Sequence, residues 1–166
     1  MLATLAASFQ MFRVLVWLRS RMPAEVIPLF EKQRREDGGF ITVYETCVVK
    51  TCRSAAPAGV YDLLAAASIP CAVTVTSRSR ETTAAGLLWR LEMRPVGLQV
   101  LPTTEAELCC AMRCVLRALA ALHAHGYVHR DVRWPNVLSL DSGQWLLIDF
   151  ELAGATGAPV PEGRLP

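Results

Sequence analysis

Short apolar segments separated by polar ones in the first half of the chain predict β-strands. The segments 40–44 and 47–50 are rich in β-branched and aromatic residues and are flanked by polar ones, as strands usually are. The two residues between them suit either a tight hairpin or a bend within one long strand. The segments 71–76 and 87–93 have the same character and predict two further strands.

Helical periodicity predicts two helices in the N-terminal half of the chain. Residues 1–24 place apolar side chains on one face and indicate an N-terminal amphipathic helix or extension. Arg13 interrupts this apolar segment, which is too short to span a bilayer. A second, short helix is predicted at 57–68, before the strand at 71–76.

The strongest helical signal lies between Thr104 and Gly126. Thr104 and Glu107 have the spacing of a capping box, in which the hydroxyl and the carboxylate accept hydrogen bonds from amides of the first turn. Gly126 stands where a C-terminal cap is expected. The apolar residues that recur at helical spacing predict a buried face made of Leu108, Ala111, Met112, Val115, Leu116, Leu119 and Leu122. Because strands and helices are segregated along the chain, the pattern favours an α+β fold.

Composition narrows the function classes. The chain has 166 residues, which is enough for one domain with a sizeable core. Its hydrophobic fraction of 52% indicates apolar surface that requires a partner, unless it reflects a general bias toward Ala, Leu and Val. The net charge is +2 and the basic residues are scattered along the chain and interrupted by acids, so we expect no nucleic-acid partner.

Six cysteines show neither a CxxC pair nor the Cys/His spacing of a metal site. They are typical of buried, reduced thiols in an intracellular protein, cytoplasmic or nuclear. No charged start precedes the apolar N-terminal segment, which therefore does not resemble a secretory signal. Its arginines and its lack of acids before Glu25 leave an organelle transit peptide as an alternative to an ordinary amphipathic helix.

Residues that carry chemistry concentrate around a predicted hairpin at 137–148. If Leu140 faces Trp145 in this hairpin, Asn136 falls opposite Asp149, with the two Cβ atoms about 4.5–5.5 Å apart. One amide oxygen and one carboxylate would then meet at the open end of the hairpin. Hard oxygen donors of this kind suit Mg²⁺, particularly when phosphates complete its coordination shell.

Asp131 lies five residues before Asn136 and brings a second carboxylate to the same end of the hairpin. Phosphoryl transfer needs such a set, because it depends on positioning and charge neutralisation. The segment 129–136, His-Arg-Asp-Val-Arg-Trp-Pro-Asn, resembles the H-R-D-x-x-x-x-N catalytic loop of protein kinases, and Asp149-Phe150 resembles the start of their D-F-G motif. The resemblance implies that Asp131 is the catalytic base or hydroxyl-orienting carboxylate, and that Asn136 and Asp149 bind magnesium.

Two upstream segments extend this resemblance. Val48-Val49-Lys50 resembles the V-A-I-K strand, whose lysine pairs with nucleotide phosphates, although an exposed lysine at a strand end would have the same sequence. Lysine is rare in this chain, and its compact charge is not interchangeable with that of arginine. Residues 91–97 resemble the hinge whose backbone N–H and C=O groups bind adenine, with Glu92 and Arg94 at the nucleotide, and they also suit a simple linker. ATP and Mg²⁺ are therefore the implied cofactors.

The resemblance covers about residues 25–152 and implies a protein-kinase-like two-lobe fold. A β-rich N-lobe with its hinge would occupy residues 25–97, and a partial, incomplete α-helical C-lobe would occupy residues 98–166. A protein substrate or partner protein would cover the incomplete C-lobe. In this family His129 is expected to pack beneath the D-F turn and to have no chemical role.

Four features depart from the family pattern. No G-x-G-x-x-G motif precedes Lys50. No glutamate lies between Lys50 and Cys71, so Asp62 is the acid left in that segment to pair with the lysine. The third position of D-F-G is Glu151, which lacks the backbone freedom of glycine and adds negative charge. After it there is no room, up to Pro166, for an activation segment and the remaining helices.

The leading interpretation is an ATP-dependent phosphotransferase of the protein kinase type, which transfers a phosphoryl group from Mg-ATP to a protein hydroxyl. One alternative is a pseudokinase-like or truncated module that binds nucleotide or a partner without transfer. Another is a small-molecule kinase of the aminoglycoside-phosphotransferase type, which shares H-x-D-x-x-x-x-N; Arg130 favours protein kinases. A third is a structural α+β domain in which Asp131 and Asp149 do not converge.

Overall fold

The computed structural model describes residues 30–32, 39–52, 58–83 and 86–159. The helix or extension expected at 1–24 lies outside these residues. The described part of the chain is a mixed α/β structure, in which an antiparallel sheet and a short helix are followed by a long helix and two small β-ladders.

The sheet has five strands in the order β1-β2-β3-β5-β4. They are β1 (Phe30–Lys32), β2 (Phe40–Val43), β3 (Val48–Cys52), β4 (Thr74–Thr83) and β5 (Gly86–Arg94). The backbone N–H of Tyr44 donates to the carbonyl of Cys47 at 2.8 Å, so the first two predicted strands form a tight hairpin rather than one bent strand. β3, which carries Lys50, lies at the centre of the sheet, where neighbouring strands cover both of its edges.

β4 differs from the strand predicted at 71–76. Cys71 has a left-handed backbone (φ 56°), which a strand cannot include, and β4 instead begins three residues later and extends through a polar segment. This segment forms the edge of the sheet, where polar residues are tolerated. The guanidinium carbons of Arg78 and Arg80 each lie 4.3 Å from the ring centre of Trp89, so cross-strand stacking rather than burial supports the segment.

The second half of the described chain begins with a long helix. A short helix, α1 (Ala58–Ala66), precedes β4, and α2 (Glu105–Ala124) follows β5. The Thr104 hydroxyl accepts the N–H of Glu107 at 3.2 Å, as predicted, and Gly126 adopts the expected left-handed conformation (φ 77°). The Glu107 carboxylate bonds instead to the backbone N–H and hydroxyl of Thr103, and these bonds lower the pKa of the Glu107 carboxyl.

Four short strands complete the structure: β6 (Tyr127–Val128), β7 (Val137–Ser139), β8 (Trp145–Leu147) and β9 (Gly154–Ala155). β7 and β8 form the predicted hairpin, and β6 pairs with β9. The expected register is wrong by one residue, because Ser139, not Leu140, faces Trp145. The N–H of Leu140 donates to the carbonyl of Gln144 at 2.8 Å, which makes Leu140 part of the turn.

The buried face of α2 also differs from the predicted one. Leu108, Met112 and Leu116, expected in the core, are 41%, 48% and 60% exposed. The helix packs against β8, whose three large side chains are buried. Close approach to these bulky residues favours small residues on the helix, and its buried positions are Ala111, Cys114, Val115, Ala118 and Leu122.

The core joins one face of the sheet, both helices and the β7–β8 hairpin; its largest buried apolar members include Leu64, Leu91, Leu122, Leu147 and Phe150. Burial raises the pKa of the Cys71 thiol to about 11, and a hydrogen bond with Cys114 adds to the shift. No helix in the described ranges combines the length and the apolar character needed to cross a membrane.

Candidate functional site

The loop between β6 and β7 brings Asp131 and Asn136 into direct contact. A 3₁₀ turn at Trp134–Asn136 ends this loop. The φ angle of Pro135 is fixed by its ring at a value that suits the first turn of a helix. The amide nitrogen of Asn136 donates to the Asp131 carboxylate (Oδ2) and to the Asp131 carbonyl, both at 2.8 Å. Because the nitrogen makes both bonds, the amide oxygen of Asn136 is the atom that can bind a cation.

The Asp131 carboxylate is held through both of its oxygens. Oδ2 accepts from Asn136, and Oδ1 lies 3.0 Å from Nε of Arg133. Asp131 is only 8% exposed, whereas the Arg133 side chain is 55% exposed. The carboxylate is therefore held in one orientation at the edge of the core, between a buried amide and an exposed guanidinium.

His129 connects this loop to the segment after β8. It is fully buried, and its Nδ1 accepts the backbone N–H of Asp131 at 3.2 Å. The other ring nitrogen therefore carries the proton and donates to the carbonyl of Ile148 at 3.0 Å. Burial lowers the pKa of His129, in keeping with this neutral form, and its ring packs edge-to-face on Phe150 at 4.7 Å. The expected packing beneath the D-F turn is confirmed.

Lys50 meets Asp149 across a sequence separation of 99 residues. Its ammonium nitrogen lies 2.8 Å from Oδ1 of Asp149 and 2.8 Å from Oε1 of Glu151. Lys50 is 5% exposed, which excludes the interpretation as a solvated lysine at a strand end. Asp62, the acid expected to be available for Lys50, pairs with Arg78 on β4 instead.

The structure brings Asn136 and Asp149 to the same end of the hairpin by a route that differs from the predicted one. Asn136 lies opposite Ile148, whose N–H donates to the Asn136 carbonyl at 2.9 Å. The next residue, Asp149, has a left-handed backbone (φ 65°, ψ 67°), which turns the chain sharply after β8. Asp149 therefore leaves the hairpin beside Asn136 instead of facing it across the ladder.

The oxygen atoms of Asn136 and Asp149 at this end of the hairpin are donors of the kind that Mg²⁺ prefers in proteins. Among the residues that the structure describes, no group of three or more His, Cys, Asp or Glu side chains could hold an ion. Mg²⁺ commonly takes only one or two protein oxygens and completes its shell with water and phosphate oxygens. Asn136 and Asp149 supply such a pair, so the residues fit Mg²⁺ together with a polyphosphate.

Glu92 and Arg94 do not join this group through their side chains. Both belong to β5, so the linker begins at Pro95, later than the predicted hinge. Glu92 pairs with Val49 and Leu91 with Lys50, so the Glu92 and Lys50 side chains project from opposite faces of the sheet. The Glu92 carboxylate accepts from the Thr76 hydroxyl at 3.1 Å and from Arg94 at 3.3 Å. Only backbone groups of these two residues remain candidates for nucleotide contact.

Sequence reasoning noted Glu151 only as a departure from the D-F-G pattern and missed its contact with Lys50. Two signals could have indicated it: the absence of a glutamate between Lys50 and Cys71, and the extra acid directly after Asp149-Phe150. For Arg130 the sequence predicted only a structural role. Its guanidinium donates to the carbonyls of Ala155, Ala158 and Pro159 at 3.2, 2.6 and 3.1 Å, which ties the segment after β9 to the loop.

Comparison with known proteins finds partial relatives. The chain is 37% identical over 105 residues to Crinkler effector protein 8 of Phytophthora infestans, a match that covers 63% of the chain and 16% of that protein. It is 44% identical over 59 residues to cyclin-dependent kinase 10 of Mus musculus, covering 36% of the chain and 16% of the kinase. It is 33% identical over 60 residues to serine/threonine-protein kinase PAK 4 of Mus musculus, covering 36% of the chain and 10% of that kinase. No protein-family model matches.

These matches support a kinase-like relation over part of the chain. The similarity to the two kinases covers 36% of the chain, and the matched parts make up 16% or less of the relatives' length. The antiparallel sheet followed by helix and hairpin is compatible with a kinase-like fold.

Proposed function

We propose that the chain carries the catalytic site of an ATP-dependent phosphotransferase of the protein kinase type, in a two-lobe arrangement. The contact between Lys50 and Asp149 is the observation that carries the proposal. It joins the central strand of the sheet to the end of the β7–β8 hairpin at 2.8 Å. Lys50, which would bind phosphates in this proposal, therefore lies beside Asp149, which would bind the metal. Burying a charged lysine is costly for folding, so stability alone does not explain why Lys50 occupies this position.

Each residue of the site has a distinct role in this proposal. Asn136 and Asp149 would hold Mg²⁺ through their oxygens, and the bound ion would supply neutralisation of charge on the phosphates. Lys50 would bind phosphate oxygens, to which its ammonium can donate in place of Asp149. Asp131, oriented by Asn136 and Arg133, would align the substrate hydroxyl and accept its proton. A protein substrate and an intracellular site of action belong to the same proposal.

Nucleotide binding is tested by thermal unfolding with and without Mg-ATP. A ligand at about 100 times its dissociation constant adds about 2.7 kcal/mol to the free energy of unfolding, so the wild type is expected to unfold at a clearly higher temperature. Lys50→Met and Asp149→Asn are expected to reduce the ligand-induced shift, whatever their own stability, because each removes a predicted contact of the bound complex. Absence of any shift in the wild type would remove both the enzyme and the nucleotide-binding interpretations.

Asp131→Asn separates transfer from binding in the same experiment. The variant keeps the shape of the side chain and loses its basicity, so we expect Mg-ATP to stabilise it while transfer from labelled ATP to a generic protein substrate is lost. Transfer by the wild type to amino sugars instead of protein would favour the small-molecule kinase alternative. Stabilisation without transfer to either class would favour a binding module.

A further inference from the structure

We propose that Glu151 is a positioning residue that holds the Lys50 ammonium in place at the nucleotide site. The catalytic consequence rests on the proposed function, whereas the contact itself does not. The Glu151 carboxylate lies 2.8 Å from the ammonium nitrogen of Lys50, and the two side chains are only 12% and 6% exposed. Glu151 would therefore act through Lys50 and not on the reacting atoms.

The buried ammonium needs a partner that remains when nucleotide binds. In the structure Lys50 is shared between Asp149 and Glu151, each at 2.8 Å. Asp149 is also the proposed Mg²⁺ ligand, and a cation bound to its carboxylate would weaken its attraction for a second positive charge. Glu151 is not one of the proposed Mg²⁺ ligands, so its contact with Lys50 can persist when the ion binds. The ammonium group of lysine sits on a flexible four-carbon stem, and a fixed anion restricts where this charge can lie.

The backbone around Glu151 is well suited to hold the carboxylate still. Glu151 is the middle residue of a 3₁₀ turn, Phe150–Leu152, that begins directly after the left-handed Asp149. Phe150 is 1% exposed and packs on the buried ring of His129, which anchors the turn to the core. The sharp bend at Asp149 and the turn after it direct both carboxylates toward the same lysine.

An acid from α1 does not take this role, because Asp62 is paired with Arg78 and its side chain is 67% exposed. Glu151 lies two residues from Asp149, the proposed metal ligand, and provides Lys50 with a second anion. Two departures from the kinase pattern, Glu151 in place of the D-F-G glycine and the lack of a glutamate between Lys50 and Cys71, therefore have a common explanation. The partner of Lys50 comes from the segment after β8.

The kinetic test compares Glu151→Gln, Glu151→Asp and the matched control Glu45→Gln, an exposed acid in the β2–β3 turn. Loss of a residue that orients a ligand-binding group commonly reduces activity by roughly 10- to 100-fold. We expect Glu151→Gln to lower kcat/KM for Mg-ATP by that factor, mainly through KM, because a misplaced Lys50 binds phosphates less well. Glu151→Asp should restore part of the loss, and Glu45→Gln should match the wild type.

A second measurement needs neither nucleotide nor activity. Lys32 and Lys50 are the two lysines of the chain, so ¹⁵N-lysine labelling gives two side-chain ammonium signals, and Lys32→Arg assigns them. We expect the Lys50 signal to shift in Glu151→Gln, to shift less in Glu151→Asp and to stay unchanged in Glu45→Gln. The milder Glu151→Asp serves as the test variant if Glu151→Gln does not fold.

An unchanged Lys50 signal in the folded Glu151 variants would overturn the inference. A wild-type kcat/KM in Glu151→Gln would overturn its catalytic part. If the Lys50 signal shifts as expected but Mg-ATP does not stabilise the wild type, the proposed function fails and the positioning of Lys50 by Glu151 stands.

Discussion

At the residue scale, the site is built from buried polar groups that orient one another. His129, Asp131 and Asn136 are all less than 10% exposed, and each bonds to a neighbouring loop or to another member of the set. Buried polar groups are tolerated only when they are hydrogen-bonded, so every member depends on its partner. The neutral state of His129 is the part of this network that pH can disturb.

Stability is expected to decrease in mild acid because of His129. Burial holds its pKa below the usual 6.5, so below that pH the unfolded chain binds a proton that the folded protein resists. The free energy of unfolding is therefore not reduced by His129 above about pH 6.5, and it decreases progressively as the pH falls toward the folded-state pKa. Urea unfolding at a series of pH values measures this slope. It should persist when the exposed His123 and His125 are replaced by Gln; its disappearance there would contradict the assignment to His129.

At the element scale, α2 shows how a packing surface departs from simple periodicity. The helix presents small residues to the bulky strand β8 and leaves several of its larger apolar side chains in solvent. Periodicity identifies hydrophobic positions but carries no information on the size of the side chains that pack against them. Burial, not hydrophobicity, therefore determines which residues of α2 stabilise the fold.

Two identical substitutions on α2 should have very different effects. Leu122 is fully buried, and Leu122→Ala is expected to reduce the free energy of unfolding by about 2–5 kcal/mol through lost contacts and a cavity. Leu116 is 60% exposed, and Leu116→Ala should change the free energy of unfolding by no more than about 0.5 kcal/mol. Urea unfolding of both variants checks the pair. Similar losses at the two positions would show that the predicted face, and not the observed one, is buried.

At the scale of the whole molecule, polar contacts add to the apolar core in joining the sheet to the β7–β8 hairpin. Lys50 on the sheet pairs with Asp149 and Glu151. In the linker after β5, Leu98 and Ser139 exchange two backbone hydrogen bonds of 2.8 and 2.9 Å. The linker thus sets the distance between β5 and β7, on which the geometry of the site depends.

Gly97 is the residue at which this linker approaches the hairpin most closely. An added Cβ would lie 2.8 Å from Cβ of Leu138 and 3.1 Å from the carbonyl oxygen of Ser139, so the strand itself would have to move. We expect Gly97→Ala to lower the free energy of unfolding by roughly 1–3 kcal/mol, as overpacking does. Urea unfolding measures the loss, with the exposed Gln99→Ala as control. A fully stable Gly97→Ala would contradict the close approach.

Much of the fold could be predicted from local pattern. The capped α2, the β7–β8 hairpin and the spacing of Asp131, Asn136 and Asp149 depend on interactions within a few residues, so local sequence is enough to predict them. The pattern also predicted the strands β2 and β3 but left open whether they form a hairpin. The sequence predicted that Asn136 and Asp149 lie at the same end of the hairpin, and the structure places them there although the register differs by one residue. The placement does not depend on the register, because both residues directly flank the hairpin. Their role as magnesium ligands stays a prediction.

Tertiary structure alone decided three other features: the hairpin register, the buried face of α2 and the partners of Lys50. Each depends on groups that are distant in the chain or on the exact geometry of a turn, such as the Leu140–Gln144 hydrogen bond. Lys50 and Asp149 are separated by 99 residues, and no local preference of either residue specifies their contact. Packing of the sheet against the hairpin places them together, because a buried cation is stable only where carboxylates meet it.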